Sequence, residues 1–323
     1  MKCIGVYTSG GDAPGMNACL RAVVRTAVAN DIEVVGIRRG YQGMIEGDFV
    51  KMEASSVSNI IQRGGTILKS SRCAQFRTPE GRQKAYDRLR EAGVEGLVAI
   101  GGDGTFAGAR VFASEFNMPV VGAPGTIDND LYGTDMTIGF DTALNTAMDG
   151  IDKIRDTADS HNRLFFIEVM GRDAGFIALN SGIAGGAEAV LIPEQTTLID
   201  DVITKLESGW LRHKTSSIIV VAEGDDAGGA FEVAKKVNEK FSHYDTRVVV
   251  LGHIQRGGIP TCMDRVIASR LGNAAVEALM EGLSNVMVGI INNEVVHTSF
   301  HRACKYHQEV NPNLLKLVEV LSV

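Results

Sequence analysis

The stretch from Leu97 to Asp130 constrains this chain most, because two short apolar runs within it each empty into a loop of glycine, threonine and aspartate. Leu97-Val98-Ala99-Ile100 is continuous, apolar and brief, as a strand buried on both faces of a parallel sheet must be. It ends in Gly101-Gly102-Asp103-Gly104-Thr105, where missing Cβ atoms let backbone N–H groups approach an anion closely at the start of a helix. The second run, Pro119 to Ala123, ends in Pro124-Gly125-Thr126-Ile127-Asp128-Asn129-Asp130. An acid facing phosphate repels it, so Asp103 is better placed to hold Mg²⁺, and Asp130 can share that metal. Asp128 and Asp130 point the same way in an extended segment, whereas a turn at Asn129 aims them apart, one as base and the other as metal partner. An Asp in such a loop also serves as a helix N-cap or closes an Asx-turn, but three acids in two consecutive strand-end loops exceed that need.

At 323 residues the chain has room for two domains of ordinary size, and 45% hydrophobic with 22% charged residues is a globular composition. A formal charge of −7 and a pI near 5.6 argue against a general nucleic-acid surface, which rests on clustered Lys and Arg. No apolar run approaches a membrane span, and Met1 to Val6 leads straight into a strand and not into a signal peptide, so a cytoplasmic location is expected. The five cysteines are scattered with no Cys-x-x-Cys spacing and are expected to be free thiols. His297, His301, Cys304 and His307 lie close in sequence but match no zinc spacing, which favours an ordinary polar segment.

Lys2 to Thr8 reads as the first strand, and Ser9 to Gly15 (SGGDAPG) as a turn of phosphate type into a helix from about Met16 to Asn30. The GxxxxGK[ST] loop is absent, as are the His-Arg-Asp and Asp-Phe-Gly marks of protein kinases. Arg21 and Arg25 share a helix face, as an anion site or a solvated stripe, opposite the apolar Leu20, Val23, Val24 and Ala27. Glu33 to Arg38 is the second strand, and Gly40 to Gly43 a glycine-spaced loop suited to placing Tyr41 over a ligand. A helix from Pro79 to Ala92 returns to the central strand, so strands and helices alternate as in a doubly wound parallel sheet. Later strands at 164–170, 190–193, 217–222, 247–251 and 286–291 alternate with helices, and no low-complexity linker interrupts them. Polar groups recur just past strand ends: Gly171-Arg172-Asp173, Glu223-Gly224 and Gly252-His253-Ile254-Gln255-Arg256. Glycine loops with acids, and arginines beyond them, suit phosphoryl transfer, which asks for positioning, charge neutralisation and a carboxylate to take a proton.

These residues carry a resemblance. TSGGDAPGMNA from Thr8, GGDGT from Gly101, PGTIDND from Pro124, IEVMGR from Ile167 and LGHIQRGG from Leu251 resemble the bacterial ATP-dependent 6-phosphofructokinase family over almost the whole chain, fading after about residue 292. GGDGT alone is shared with diacylglycerol and NAD kinases, whereas PGTIDND together with LGHIQRGG is specific. The resemblance implies two Rossmann-like α/β/α lobes with mostly parallel sheets and the active site in the cleft between them. Residues 1–139 plus 256–305 would bind ATP, and 140–255 plus 306–323 fructose 6-phosphate.

By the same resemblance Gly11, Tyr41, Arg72, Cys73, Arg77, Gly102, Asp103, Gly104 and Thr105 would line the ATP site, with Asp103 and Asp130 serving Mg²⁺. Asp128 would be the base that activates the sugar's 1-hydroxyl, helped by Thr126, while Arg72 and Arg172 offset charge on the transferring group. Thr126, Ile127, Asp128, Met170, Gly171, Arg172, Glu223, His253, Ile254, Gln255 and Arg256 would hold fructose 6-phosphate, and Arg163 and Arg247 would reach it from a neighbouring subunit of a homotetramer. Arg21, Ala22, Val23, Val24, Arg25, Arg155, Gly186, Ala187, Glu188, Arg212 and Lys214 match the family's effector site for ADP or GDP and phosphoenolpyruvate. Ala54 stands where an enteric member has Arg, and Thr215 and Ser216 replace basic residues, which implies weakened effector coupling.

Three rival readings are weaker. Pyrophosphate-dependent relatives usually carry Asp at the place of Gly104 and Lys at that of Gly125, and glycine at both leaves room for ATP. A non-catalytic regulatory subunit would have lost the base or a metal acid, whereas Asp103, Asp128 and Asp130 are all present. A dehydrogenase would want GxGxxG after the first strand and an acid closing the second, and Arg38 ends that strand.

Overall fold

Short runs rich in Val, Ile and Ala alternate with amphipathic runs, and in the computed structural model they become strands and helices over the described residues 1–160, 163–213 and 216–322. In order come β1 (Cys3–Thr8), α1 (Met16–Ala29), β2 (Glu33–Ile37), α2 (Tyr41–Glu46) and β3 (Phe49–Met52). A 3₁₀ turn at Gln75–Arg77 precedes α3 (Pro79–Glu91), β4 (Gly96–Gly101), α4 (Asp103–Phe116) and β5 (Val120–Pro124). Next are α5 (Phe140–Asp159), β6 (Arg163–Val169), α6 (Phe176–Ala184), β7 (Ala189–Leu191), α7 (Ile199–Leu211), β8 (Ser217–Ala222), α8 (Ala230–Asn238) and β9 (Asp245–Val250). A second 3₁₀ turn at Gly252–Arg256 leads to α9 (Cys262–Met280), β10 (Val286–Ile291), β11 (Glu294–Ser299), α10 (Phe300–Lys305) and α11 (Pro312–Leu321).

The chain divides into two compact units, the first of Met1–Ile127, Leu131–Thr142 and Arg256–Gln308, the second of Asp128–Asp130, Ala143–Gln255 and Glu309–Val323. In the first, a seven-stranded sheet runs β11-β10-β5-β4-β1-β2-β3. The five inner strands are parallel, while β3 and β11 pair antiparallel at the edges. β1, β4 and β5 are buried along their whole length, as strands covered on both faces must be. Tyr7, Tyr41, Phe76, Phe106, Phe112 and Phe300 supply the bulk of one core face.

The chain leaves β1 toward β2 on one side and returns to β4 on the other, so the direction of winding reverses between β1 and β4. Ligands of open α/β sheets bind beyond the strand ends at such a switch point. The parallel registers bring the loops after β1, β4 and β5 side by side: Ser9 N–H donates to Ile100 O at 3.0 Å and Gly125 N–H to Gly101 O at 3.0 Å. Below them, the fully buried Asp264 of α9 accepts from the Gly139 and Thr142 N–H groups, each at 2.8 Å, and from the Thr142 hydroxyl, tying down the start of α5. Burial outweighs these bonds and pushes the Asp264 carboxyl up.

The second unit holds a four-stranded, all-parallel sheet in the order β7-β8-β6-β9. β8 and β9 lie on opposite sides of β6, so this sheet too has its switch point at the strand that ends in Val169. Leu164, Phe166, Ile219, Val221, Val233 and Phe241 form its core.

Candidate active site

In the first unit Gly102 caps α4 without a side-chain bond, and the helix opens with Asp103, half-buried, as its first residue. Tyr41, expected in a loop, instead begins α2 with its ring buried. Its hydroxyl donates to Thr105 O at 2.5 Å, receives the Tyr7 hydroxyl at 3.1 Å, and its ring stacks on Phe76 at 3.9 Å. Burial holds both phenols above their ordinary pKa, so both stay protonated donors. Tyr41 therefore reaches the glycine loop from below. Arg72 and Arg77 are exposed and Cys73 packs partly against the core.

A Cβ on Gly104 would meet no atom within 4 Å, whereas one on Gly125 would lie 3.1 Å from Met16 and 3.2 Å from Ile100. Gly104 thus borders open space, whereas the missing side chain of Gly125 faces Met16 and Ile100. Arg256 Nη1 donates to Asp12 O at 3.4 Å and would lie 2.5 Å from a Cβ on Gly11, so the first unit itself joins this expected sugar-phosphate ligand to the loop expected for ATP.

The Asp loop is pinned at its base by Ile138 N–H donating to Pro124 O at 2.8 Å and the Thr137 hydroxyl donating to Thr126 O at 2.7 Å. Ile127 is fully buried in the first unit and anchors the loop through its side chain. Asn129 adopts a left-handed φ of 54°, which decides between the two arrangements of its neighbours: Asp128 is 3% exposed and Asp130 half-buried.

Within the second unit, Arg172 Nε lies 3.6 Å from Asp128 Oδ2. Arg172 has a φ of 52°, and its N–H donates to Glu223 Oε1 at 2.8 Å, with Gly171 N–H donating to the same oxygen at 3.3 Å. A Cβ on Gly224 would sit 2.0 Å from Arg172 O, so glycine is what lets the Glu223 turn close on the Arg172 turn. Met170 N–H donates to Gln255 Oε1 at 3.4 Å, and Gln255, fully buried, donates to Gly252 O at 3.1 Å. Gln255 is thus a brace inside the unit, while His253 and Ile254 stand exposed. Arg163 and Arg247, on the paired strands β6 and β9, flank Asp245 at 3.4 and 2.8 Å.

Of the residues matched to an effector site, Arg21 is half-buried and Arg25 exposed on α1, but Ala22, Val23 and Val24 are buried there and offer no polar side chain. In the second unit Arg155 donates to Gly185 O and, at 2.9 Å, to Gly186 O, beside the buried Ala187 and Glu188. Arg212 is exposed at the end of α7, and Lys214 and Thr215 lie outside the described residues. The five cysteines are free. His301 lies 3.1 Å from an Arg110 nitrogen and Cys304 packs on Asp103 O at 3.6 Å. Among the described residues no group of three or more His, Cys, Asp or Glu forms a metal cage, and no helix is long and apolar enough to cross a membrane.

Residues 3–279 match the phosphofructokinase family. The chain belongs to that family. It is 59% identical to ATP-dependent 6-phosphofructokinase 1 of Thermus thermophilus over the full length of both, and 56% identical to ATP-dependent 6-phosphofructokinase 2 of Bacteroides thetaiotaomicron over 100% of this chain and 99% of the other. Among solved structures, phosphofructokinase from Saccharomyces cerevisiae is 35% identical with a TM-score of 0.89, covering 94% of this chain and 45% of the yeast chain. The two mostly parallel sheets with strand-end loops are thus the phosphofructokinase architecture.

Proposed function

We propose that the chain is an ATP-dependent 6-phosphofructokinase, moving the γ-phosphate of ATP to the 1-hydroxyl of D-fructose 6-phosphate in glycolysis, to give fructose 1,6-bisphosphate and ADP. The observation that carries the reading is the buried Asp128 with the Arg172 guanidinium 3.6 Å away. Asp128 takes the proton of the 1-hydroxyl as that oxygen bonds to the γ-phosphorus, and the bond to the β,γ-bridging oxygen breaks to release ADP. Arg172, its backbone fixed by Glu223, and Arg72 balance the charge on the transferring group, while Thr126 lends its hydroxyl beside the base.

The first unit serves as the ATP lobe through Gly11 and Gly102 to Thr105, and the second as the sugar-phosphate lobe through Met170, Gly171, Glu223 and His253. Arg256 falls with the first unit. The carboxylates of Asp103 and Asp130 are hard oxygen donors, half-exposed, and two of them leave further positions to water and phosphate oxygens, the set that Mg²⁺ takes. Held there, Mg²⁺ would neutralise phosphate charge.

Arg163 and Arg247 suit a sugar phosphate presented by a neighbouring copy in a homotetramer. Arg21 and Arg25 in the first unit, and Arg155 with Gly186 in the second, suit ADP or GDP and phosphoenolpyruvate as effectors, in a cytoplasmic enzyme with weakened coupling.

The test is the initial rate of fructose 1,6-bisphosphate formation with Mg²⁺ and either ATP or pyrophosphate. Turnover with ATP alone is expected. Turnover with pyrophosphate alone would overturn the donor, and none with either would bring forward a regulatory subunit.

A further inference from the structure

Arg82 and Glu115 belong to no motif in the sequence, yet the Arg82 guanidinium makes four hydrogen bonds, two to Glu115 and two to one short segment. Nε and Nη2 donate to the two Glu115 carboxylate oxygens at 2.5 and 2.6 Å, a bidentate pair. Nη1 donates to the carbonyls of Phe76 and Arg77 at 2.8 Å for Arg77 and 3.1 Å for Phe76. The Arg82 side chain is 10% exposed and that of Glu115 36%, so the guanidinium is largely shielded while the carboxylate still meets solvent. The Arg82 fork holds the Glu115 carboxyl below its usual range, in keeping with that geometry.

Two independent contacts tie the same segment to the glycine loop. Phe76 stacks on Tyr41, whose hydroxyl holds Thr105 O, and it lies 5.6 Å from the ring of Phe112. Phe112 and Glu115 ride on α4, the helix that begins with Asp103. The far end of that helix thus fixes residues 76–77, while its near end forms the loop for phosphate.

We infer that Arg82 and Glu115 are positioning residues for the nucleotide: they set the Arg72–Arg77 segment against the Gly101–Thr105 loop, so that the use of ATP depends on a pair that does not touch it. The inference rests on the reading of the first unit as the ATP lobe. A lysine at position 82 would keep the charge but could not bond Glu115 and both carbonyls at once, because the planar fork is what reaches all of them.

The experiment measures KM for ATP, KM for fructose 6-phosphate and kcat in the full-length wild type, in Arg82→Lys and in Glu115→Gln. For Arg82→Lys the expected result is a rise in KM for ATP of about fivefold with KM for fructose 6-phosphate within about twofold, and for Glu115→Gln the same split at about threefold, since misplacing a binding segment costs what it contacts. Glu115→Gln keeps the shape of the pair and serves alone if Arg82→Lys does not fold. A merely structural role would lower thermal stability and leave KM for ATP unchanged, and that result, or both KM values rising together, overturns the inference. A wild type that does not turn over with ATP overturns the functional reading, and the inference with it.

Discussion

The loop after β4 and the loop after β6 stand at equivalent places, each past a parallel strand at its sheet's switch point, yet they are built in opposite ways. After β4 the chain turns through Gly101 and Gly102 straight into α4, so what it presents is backbone N–H at a helix start. After β6 the N–H groups of Gly171 and Arg172 are both taken by Glu223, so what the loop presents is the Arg172 guanidinium. Backbone recognition needs only the absence of side chains nearby. Side-chain recognition needs a second residue to hold the first. The first kind is local in sequence, and the second couples residues about fifty positions apart.

The comparison can be broken most sharply at Asp128, the acid proposed to take the proton. Asp128→Asn should lower kcat by about a thousandfold while KM for fructose 6-phosphate moves less than about threefold, because the amide keeps the shape and loses the base. Near-normal turnover in steady-state assays would remove Asp128 from that role. The next effect separates room from packing. Gly104→Asp puts a carboxylate into open space at the glycine loop, so kcat/KM for ATP should fall by about thirtyfold with the melting temperature unchanged, since repulsion and not the fold is disturbed. A melting temperature that drops with the activity would mean that Gly104 is there for packing.

How much of this was legible depended on how local the signal was. Leu97–Ile100, Gly101–Thr105 and the Asp128 loop were readable because short apolar runs and missing side chains announce themselves within a few residues. Neither edge strand was read. β3 is a four-residue strand, too short for a period, though Gly47 with a φ of 73° marks the turn before it. β11 follows Asn292 and Asn293, which adopt φ of 50° and 67°, and a two-residue Asn-Asn turn ahead of the alternating Glu294–Ser299 is a hairpin signal that could have been used.

Tyr41 shows a different limit. A glycine on either side of a tyrosine suggested a loop, and only the buried neighbours Tyr7 and Phe76 turned it into the start of a helix. The roles of Asn17, Asp264 and Arg82 were not legible, because a buried polar side chain is defined by its bonding partners in the fold. Asn17, almost fully buried, bonds Arg63 O and Gly64 O at 3.1 Å and receives Ile67 N–H at 2.8 Å, so it shapes a loop some fifty residues away.

The division between the loops is tested most directly by the two KM values of Glu223→Gln. The amide oxygen can still accept both N–H groups but without the carboxylate's charge, so both bonds weaken and the Arg172 backbone is held less firmly while the glycine loop after β4 is untouched. The account predicts a rise in KM for fructose 6-phosphate of about tenfold, with KM for ATP within about twofold. Equal rises in both, or a rise for ATP alone, would contradict it.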